Sequence, residues 1–213
     1  SYSTGCVTID PSNENIIWVG TGENNNQRSV SYGDGVYKSM DGGKSWEETS
    51  VDEESDYHLN NLLYFGDGRW MIAGEAGLSY RSFDDAETWE RMDMPYQGSM
   101  WGALKSSADC VLFYGLRGHV LESCDFGSSW DEIPTGSESS ISGAAEFEEL
   151  VVLGANSGII LVRDDSSGFR VTHHSSGVDF SAVLSLGDGN FLLTGEDGVH
   201  RYPEVVTEEE ADE

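Results

Sequence analysis

Three carboxylates set in turns, Glu75, Asp179 and Glu196, are the groups of this chain that could flank a glycosidic bond, one as acid and one as nucleophile or base. Nothing around them marks such a pair, so no catalytic residue is assigned. Arg117 could clamp a carboxylate bidentately or pair with neighbouring glutamates, and it is one of only 11 basic residues facing 39 acidic ones. Trp101 could stack on a sugar ring or a peptide side chain, or simply pack inside the protein. His173-His174 has no Cys or carboxylate at ligand spacing, so no metal is expected. No cofactor is expected either, because no phosphate-cradling loop or Ser/Cys nucleophile motif occurs. Cys6, Cys110 and Cys124 show no metal spacing. Cys110 and Cys124 fall nearly opposite each other across one hairpin; two buried thiols are the simpler expectation and a cross-strand disulfide the alternative.

The elements that would position these side chains follow from a repeat. Trp46, Trp89, Trp130 and Phe169 are spaced by 43, 41 and 39 residues, and each closes the pattern Ser-x-Asp-x-Gly-x-x-Trp or its remnant. The pattern is complete at Ser39-Met-Asp41-Gly-Gly43-Lys-Ser-Trp46 and at Ser123-Cys-Asp125-Phe-Gly127-Ser-Ser-Trp130. It carries Ala86 for Gly around Asp84 and Trp89, and only Asp and an aromatic remain around Asp164. A second column, Gly35, Gly77, Gly118, Gly158 and Gly198, is spaced by 42, 41, 40 and 40 residues. Each of these glycines ends a short turn between two apolar runs of strand length, which predicts a hairpin. In the second unit the strands are expected at 61–65, 70–73, 78–82 and 88–92.

Four-stranded units of about 40 residues predict an all-β chain, a single β-propeller of five blades. The blades are expected at 5–50, 57–95, 99–136, 140–173 and 178–203, with an acidic tail at 204–213. The last unit stops at its third strand, so closure is expected from residues 1–5 or 204–207. The Asp-containing turns are expected to be structural: Asp41, Asp84 and Asp125 accept backbone N–H bonds, and Trp46, Trp89 and Trp130 pack between blades.

These Ser-x-Asp-x-Gly-x-x-Trp turns resemble the Asp boxes of BNR-repeat propellers, a group that includes sialidases, sortilin-like domains and xyloglucanases. Residues 5–50, with Trp18-Val-Gly-Thr-Gly and Ser31-Tyr-Gly-Asp-Gly-Val-Tyr-Lys-Ser39, resemble the first repeat of sortilin-like and glycosyl-hydrolase BNR proteins. Residues 60–203, with Gly74-Glu-Ala-Gly77, Tyr96-Gln-Gly-Ser-Met-Trp-Gly102 and Gly115-Leu-Arg-Gly118, resemble the photosystem II stability/assembly factor family and its non-photosynthetic bacterial relatives. That family's propellers have seven blades, against five counted here. The sialidase site does not carry over, because no Phe/Tyr-Arg-Ile-Pro segment is present and Arg117 alone cannot replace an arginine triad.

In propellers the loops joining strands two and three share a face with the loops joining consecutive blades, and ligands bind there. Candidate ligand-binding residues on that face are Arg117, Trp101, Glu75, Glu196, Asn156, His58, and Asn25 and Arg28 of the insertion Glu23-Asn-Asn-Asn-Gln-Arg28. The resemblance implies a non-catalytic binding or assembly propeller that holds a peptide or protein. The alternative is a carbohydrate-active protein, a lectin-like module or a BNR-type glycoside hydrolase.

A net charge of -28 argues against nucleic acid and anionic membranes as partners. It suits a high-salt habitat as well as an acidic mesophile. No run is long and apolar enough for membrane insertion, and no signal peptide is recognised in the chain. The resemblance favours a periplasmic or secreted location. A monomer is expected, or a homo-oligomer formed through an unpaired edge of the last blade.

Overall fold

A computed structural model describes residues 4–10, 13–21, 35–49, 51–52, 58–106, 109–164 and 168–204. They form nineteen strands in five antiparallel sheets; first strands alternate in burial, as at 59–66 and 141–147, while second strands are buried on both faces, as at 69–74 and 111–115. Sheet 1 holds β1 (Thr4–Ile9), β2 (Ile17–Thr21), β3 (Val36–Ser39) and β4 (Glu47–Thr49); sheet 2 holds β5 (Leu59–Gly66), β6 (Arg69–Gly74), β7 (Ser79–Ser82) and β8 (Glu90–Arg91). Sheet 3 holds β9 (Met100–Lys105), β10 (Val111–Gly115), β11 (Val120–Ser123) and β12 (Asp131–Glu132); sheet 4 holds β13 (Ile141–Phe147), β14 (Leu150–Ala155), β15 (Ile159–Arg163) and β16 (Arg170–His173). Sheet 5 has three strands, β17 (Phe180–Ser185), β18 (Phe191–Gly195) and β19 (Gly198–Tyr202). No helix among the described residues is long and apolar enough to cross a membrane.

The chain divides into two compact units. The first, residues 1–114 and 121–131, holds sheets 1 and 2 and most of sheet 3; the second, residues 115–120 and 132–213, holds sheets 4 and 5 and the β10–β11 tip. Thr4 opens β1, which pairs with β2 in its own sheet. Glu204 turns back to the loop before β17, where it accepts hydrogen bonds from the Ser175 backbone N–H and hydroxyl.

Within the first unit, Trp18 and Val36 on the forward face of sheet 1 meet Leu62, Trp70, Ile72 and Tyr80 on the rear face of sheet 2. Met71 and Ala73, on the forward face of sheet 2, meet Val111, Phe113 and Leu121 of sheet 3. In the second unit, Ala145, Val152, Ile160 and Val162 of sheet 4 meet Phe180, Phe191 and Leu193 of sheet 5. Burying a large side chain in such a layer contributes about 1.5–3 kcal/mol. Gly143 permits the closest approach, since a Cβ there would lie 2.7 Å from Ala182 Cα.

The Ser-x-Asp turns are built alike. Asp41 Oδ1 accepts the Ser39 hydroxyl and the N–H groups of Lys44 and Ser45, each at 2.9 Å, while Oδ2 accepts the Ser45 hydroxyl at 2.7 Å. Asp125 repeats this with Ser123, Ser128 and Ser129, and Asp84 with Ser82 and Thr88. Ala86 stands where the other turns have Gly43 and Gly127, yet it keeps the same left-handed backbone at φ 63°. Trp89 and Trp130 pack against the sheet 1–sheet 2 and sheet 2–sheet 3 layers respectively. Trp46 does not pack this way; it is largely exposed and donates its indole N–H to Gly43 O at 3.1 Å.

Cys110 and Cys124 form a disulfide with Cα atoms 4.1 Å apart, in place of the two buried thiols expected. Antiparallel pairing of β10 with β11 holds the two Cα atoms within disulfide reach.

Donors to the carboxylate hold Asp41, Asp84 and Asp125 down to about 2, the side-chain hydroxyls of Ser45, Thr88 and Ser129 contributing most. A carboxylate with a depressed folded-state pKa adds stability that is fully present above its unfolded value near 3.8 and is lost as pH falls toward 2. The thermal midpoint should therefore fall steeply between about pH 4 and pH 2. Asp41→Asn combined with Asp125→Asn should lower the neutral-pH midpoint and flatten that acid limb, as followed by circular dichroism.

Candidate functional site

The hairpin tips of sheets 2, 3 and 4 share one backbone. Ala76 and Gly77, Arg117 and Gly118, and Ser157 and Gly158 are left-handed pairs with φ between 51° and 74°. Leu78, His119 and Ile159 each close a four-residue turn by donating to the carbonyls of Glu75, Leu116 and Asn156. Arg117 thus occupies the same slot as Ala76 and Ser157, one residue beyond the column that holds Glu75 and Asn156.

In the first unit, Glu75 is turned onto its own scaffold. Its carboxylate lies 3.5 Å from His58 Nδ1 and 3.5 Å from the His58 N–H, while its backbone N–H donates to His58 O at 3.1 Å. His58 is buried. Trp101 lies half-buried on β9, directly after fully buried Met100. Sequence alignment of the first strands puts Trp101 in the column of Asn60 and Ser142. Those two donate to Met100 O at 2.9 Å and Phe180 O at 2.6 Å, bonds that tie sheet 2 to sheet 3 and sheet 4 to sheet 5. A hollow of about 190 Å³ lined by Asp93, Met94, Pro95, Ser129 and Trp130 contains none of the candidate residues.

In the second unit, Arg117 is exposed and makes no ion pair among the described residues, while its backbone N–H donates to Ser140 Oγ at 3.2 Å. Asn156 donates its N–H to Ser140 O at 3.1 Å, so one residue, Ser140, braces both tips. Asp179 accepts the Ser157 N–H at 2.7 Å, which gives that carboxylate a role in holding the neighbouring tip. Glu196 is exposed on the sheet 5 tip. Asn25 and Arg28 lie outside the described residues.

Sequence reasoning passed over a cluster in the second unit. His174 stacks edge-on against His200 at 5.0 Å and Phe180 at 5.6 Å, and its Nδ1 lies 2.9 Å from Ser176 Oγ. His200 Nε2 meets Asp197 at 2.6 Å, and Glu204 lies 3.7 Å from His174 Nε2. Glu204 is held below the usual carboxylate range, first by the Ser175 hydroxyl and then by its backbone N–H and the two histidines. The pairing of His174 with Glu204 spans thirty residues, and no local spacing announces it. Among the described residues no group of three or more His, Cys, Asp or Glu could hold a metal ion.

No known family profile matches the chain. Its sequence is 31% identical over 103 residues to the photosystem II assembly lipoprotein Ycf48 of Synechococcus sp. (strain CC9902), a match covering 45% of this chain and 30% of that protein. The match therefore spans less than a third of that relative. The fold is similar to that of Ycf48 bound to D1 peptide, with a TM-score of 0.71 at 14% identity over 94% of this chain and 63% of that one. It is equally similar to the GH74 enzyme of Niastella koreensis, with a TM-score of 0.71 at 14% identity over 92% of this chain and 35% of that one. These likenesses show the fold, an all-β chain of antiparallel sheets in the β-propeller class.

Gly118 fixes the Arg117 tip, because a Cβ there would lie 2.1 Å from Ser137 O in addition to the left-handed φ of 74°. Gly177 has a similar φ of 66° but open space around it. Gly118→Ala should cost roughly 2 kcal/mol or more, and Gly177→Ala only about 1 kcal/mol, in urea unfolding.

Proposed function

We propose that the chain is a non-catalytic binding or assembly propeller of five blades, one per sheet, whose hairpin tips hold a peptide or protein segment ending in or rich in carboxylates. The observation that carries this reading is Arg117. In a chain with 39 acidic residues its guanidinium stands exposed and without an ion pair among the described residues, on a tip held by Ser140. An unspent guanidinium is suited to bidentate capture of a carboxylate, and the surrounding negative charge would reject acidic segments that cannot reach it. Similarity to a Ycf48 solved with a peptide supports the same class of ligand. Asn156 and Glu196, on hairpin tips of the same unit, would supply further contacts. The Asp41, Asp84 and Asp125 turns serve as blade structure.

An extracytoplasmic location fits this reading. Disulfides such as Cys110–Cys124 persist in oxidising compartments, and the curated relative is named a lipoprotein. A carbohydrate ligand is the second reading, favoured by half-buried Trp101 and by the fold shared with a GH74 enzyme. Against hydrolysis, two of the three carboxylates that could perform it are already engaged, Glu75 by His58 and Asp179 by Ser157.

Thermal-shift titration in molar KCl with acidic C-terminal peptides and with oligosaccharides separates the two. A peptide at about a hundred times its Kd contributes about 2.7 kcal/mol, which raises the midpoint by roughly 5–10 °C for a chain of this size. Arg117→Ala should weaken peptide binding by roughly tenfold or more while leaving the unliganded midpoint unchanged. A shift with sugars alone, lost in Trp101→Ala, would establish the carbohydrate reading instead.

A further inference from the structure

The hollow of about 190 Å³ lies wholly within the first unit and holds none of the residues of the proposed peptide site. Part of its lining is apolar: buried Met94, exposed Pro95 and the half-buried indole of Trp130, which rests on Phe113 with ring centroids 4.7 Å apart. The rest is Asp93 and Ser129. Asp93 is exposed, and its carboxylate makes no hydrogen bond or ion pair among the described residues.

None of these side chains offers the hollow a donor. The Ser129 hydroxyl spends its hydrogen on Asp125 Oδ2 at 2.6 Å, so toward any other partner its oxygen only accepts. A carboxylate likewise only accepts, proline has no N–H, and a thioether is at most a weak acceptor. Trp130 carries the one remaining side-chain N–H. Its Nε1 is buried out of reach of solvent and meets no acceptor among the described residues, so what it presents to an occupant is its ring. Acceptors beside an aromatic ring repel an anion and leave the acceptor oxygens of a sugar unserved; they suit a cation that carries N–H groups. The net charge of -28 raises the local concentration of such cations.

The repeat sets this position apart. Val51, Asp93 and Pro134 stand in one column, spaced by 42 and 41 residues like the first three glycines of the tips. Val51 packs in the layer that holds Trp89, and Pro134 O accepts the N–H of Phe169, the residue in the Trp130 column, at 3.1 Å. An apolar side chain or a backbone bond thus serves at the two related places, and at sheet 2 alone the column puts a carboxylate beside a tryptophan. We propose that this hollow is a binding site for a primary ammonium group, carried by a lysine side chain or by a free alkylamine, with Asp93 and Ser129 Oγ accepting its N–H groups and the Trp130 ring taking its charge and first methylenes. The site takes the opposite charge to the one read at Arg117 and does not rest on that reading.

Nuclear magnetic resonance of the ¹⁵N-labelled full chain, at neutral pH and about 0.1 M NaCl, tests this through the Trp130 indole N–H and the Asp93, Met94 and Ser129 amides. The probes are n-butylammonium and the blocked tripeptide acetyl-Gly-Lys-Gly-amide, with n-butanol and glucose as neutral controls. Both ammonium probes should shift these resonances saturably, and the controls should not. Asp93→Asn, which keeps the shape and removes the charge, should weaken binding about fivefold, and Trp130→Phe about threefold. Asp93→Val, which copies the sheet 1 column, should weaken it at least as much as Asp93→Asn without touching the Trp130 packing. Raising NaCl to about 1 M should also weaken binding, because Asp93 is open to solvent screening. Tighter binding of the tripeptide than of butylammonium assigns the site to a protein segment, and equal binding assigns it to a free amine. Butanol that shifts the same resonances as strongly, Asp93 variants that bind as the wild type does, or no saturable shift with either ammonium probe would each overturn the proposal.

Discussion

A four-stranded sheet with apolar side chains on both faces cannot cover itself, and the structure of this chain follows from that constraint. Trp18, Met71 and Val152 point forward from the second strands of sheets 1, 2 and 4, while Trp70 and Phe191 point back from those of sheets 2 and 5, so sheet 2 is packed on both faces and each of the others leans on a neighbour in its own unit. Glycine at Gly143 and Gly154 lets sheets 4 and 5 come close enough to exclude water. Polar ties then fix the slide of one sheet on the next: Asn60 and Ser142 near the first strands, Lys38 and Arg81 near the third. Apolar burial is non-directional, so these ties supply the register that burial alone would leave loose.

The outer turns and the tips divide the remaining work. At the outer end, one carboxylate in each Ser-x-Asp turn gathers several donors and closes the hairpin without help from distant residues. At the tips, left-handed residues make a turn so tight that the side chain at the second position must project outward. In sheets 2 and 4 that slot holds Ala76 and Ser157, and in sheet 3 it holds Arg117. A repeat that needs the slot only for its backbone is free to place chemistry there.

Much of the fold was legible because its signals are local. Tryptophans 41 to 43 residues apart and the glycine column gave the hairpins, and the strands expected at 61–65, 70–73 and 78–82 match β5, β6 and β7 to within two or three residues. The weak fourth strands, such as Glu90–Arg91, are shorter than expected because few ladder bonds hold an outer edge. The ties made by Lys38 and Arg81 were missed although their signal was present, a basic residue directly before the turn serine in Lys38-Ser39 and Arg81-Ser82. The Cys110–Cys124 bond depends on strand register, which spacing brackets without fixing. The placing of His58 under Glu75 and of Glu204 beside His174 is tertiary, and no periodicity encodes it.

The central claim is that the sheet 3 tip, through Arg117, receives a carboxylate-bearing segment. Nuclear magnetic resonance of the ¹⁵N-labelled chain, titrated with one peptide in its free-acid and its C-terminally amidated forms, reads this directly. The account predicts shifts of the Arg117 side-chain N–H and of the Ser140, Asn156 and Ser157 amides with the free acid, much reduced with the amide. Equal shifts with both forms, or shifts confined to the Asp93–Trp130 hollow, would contradict it.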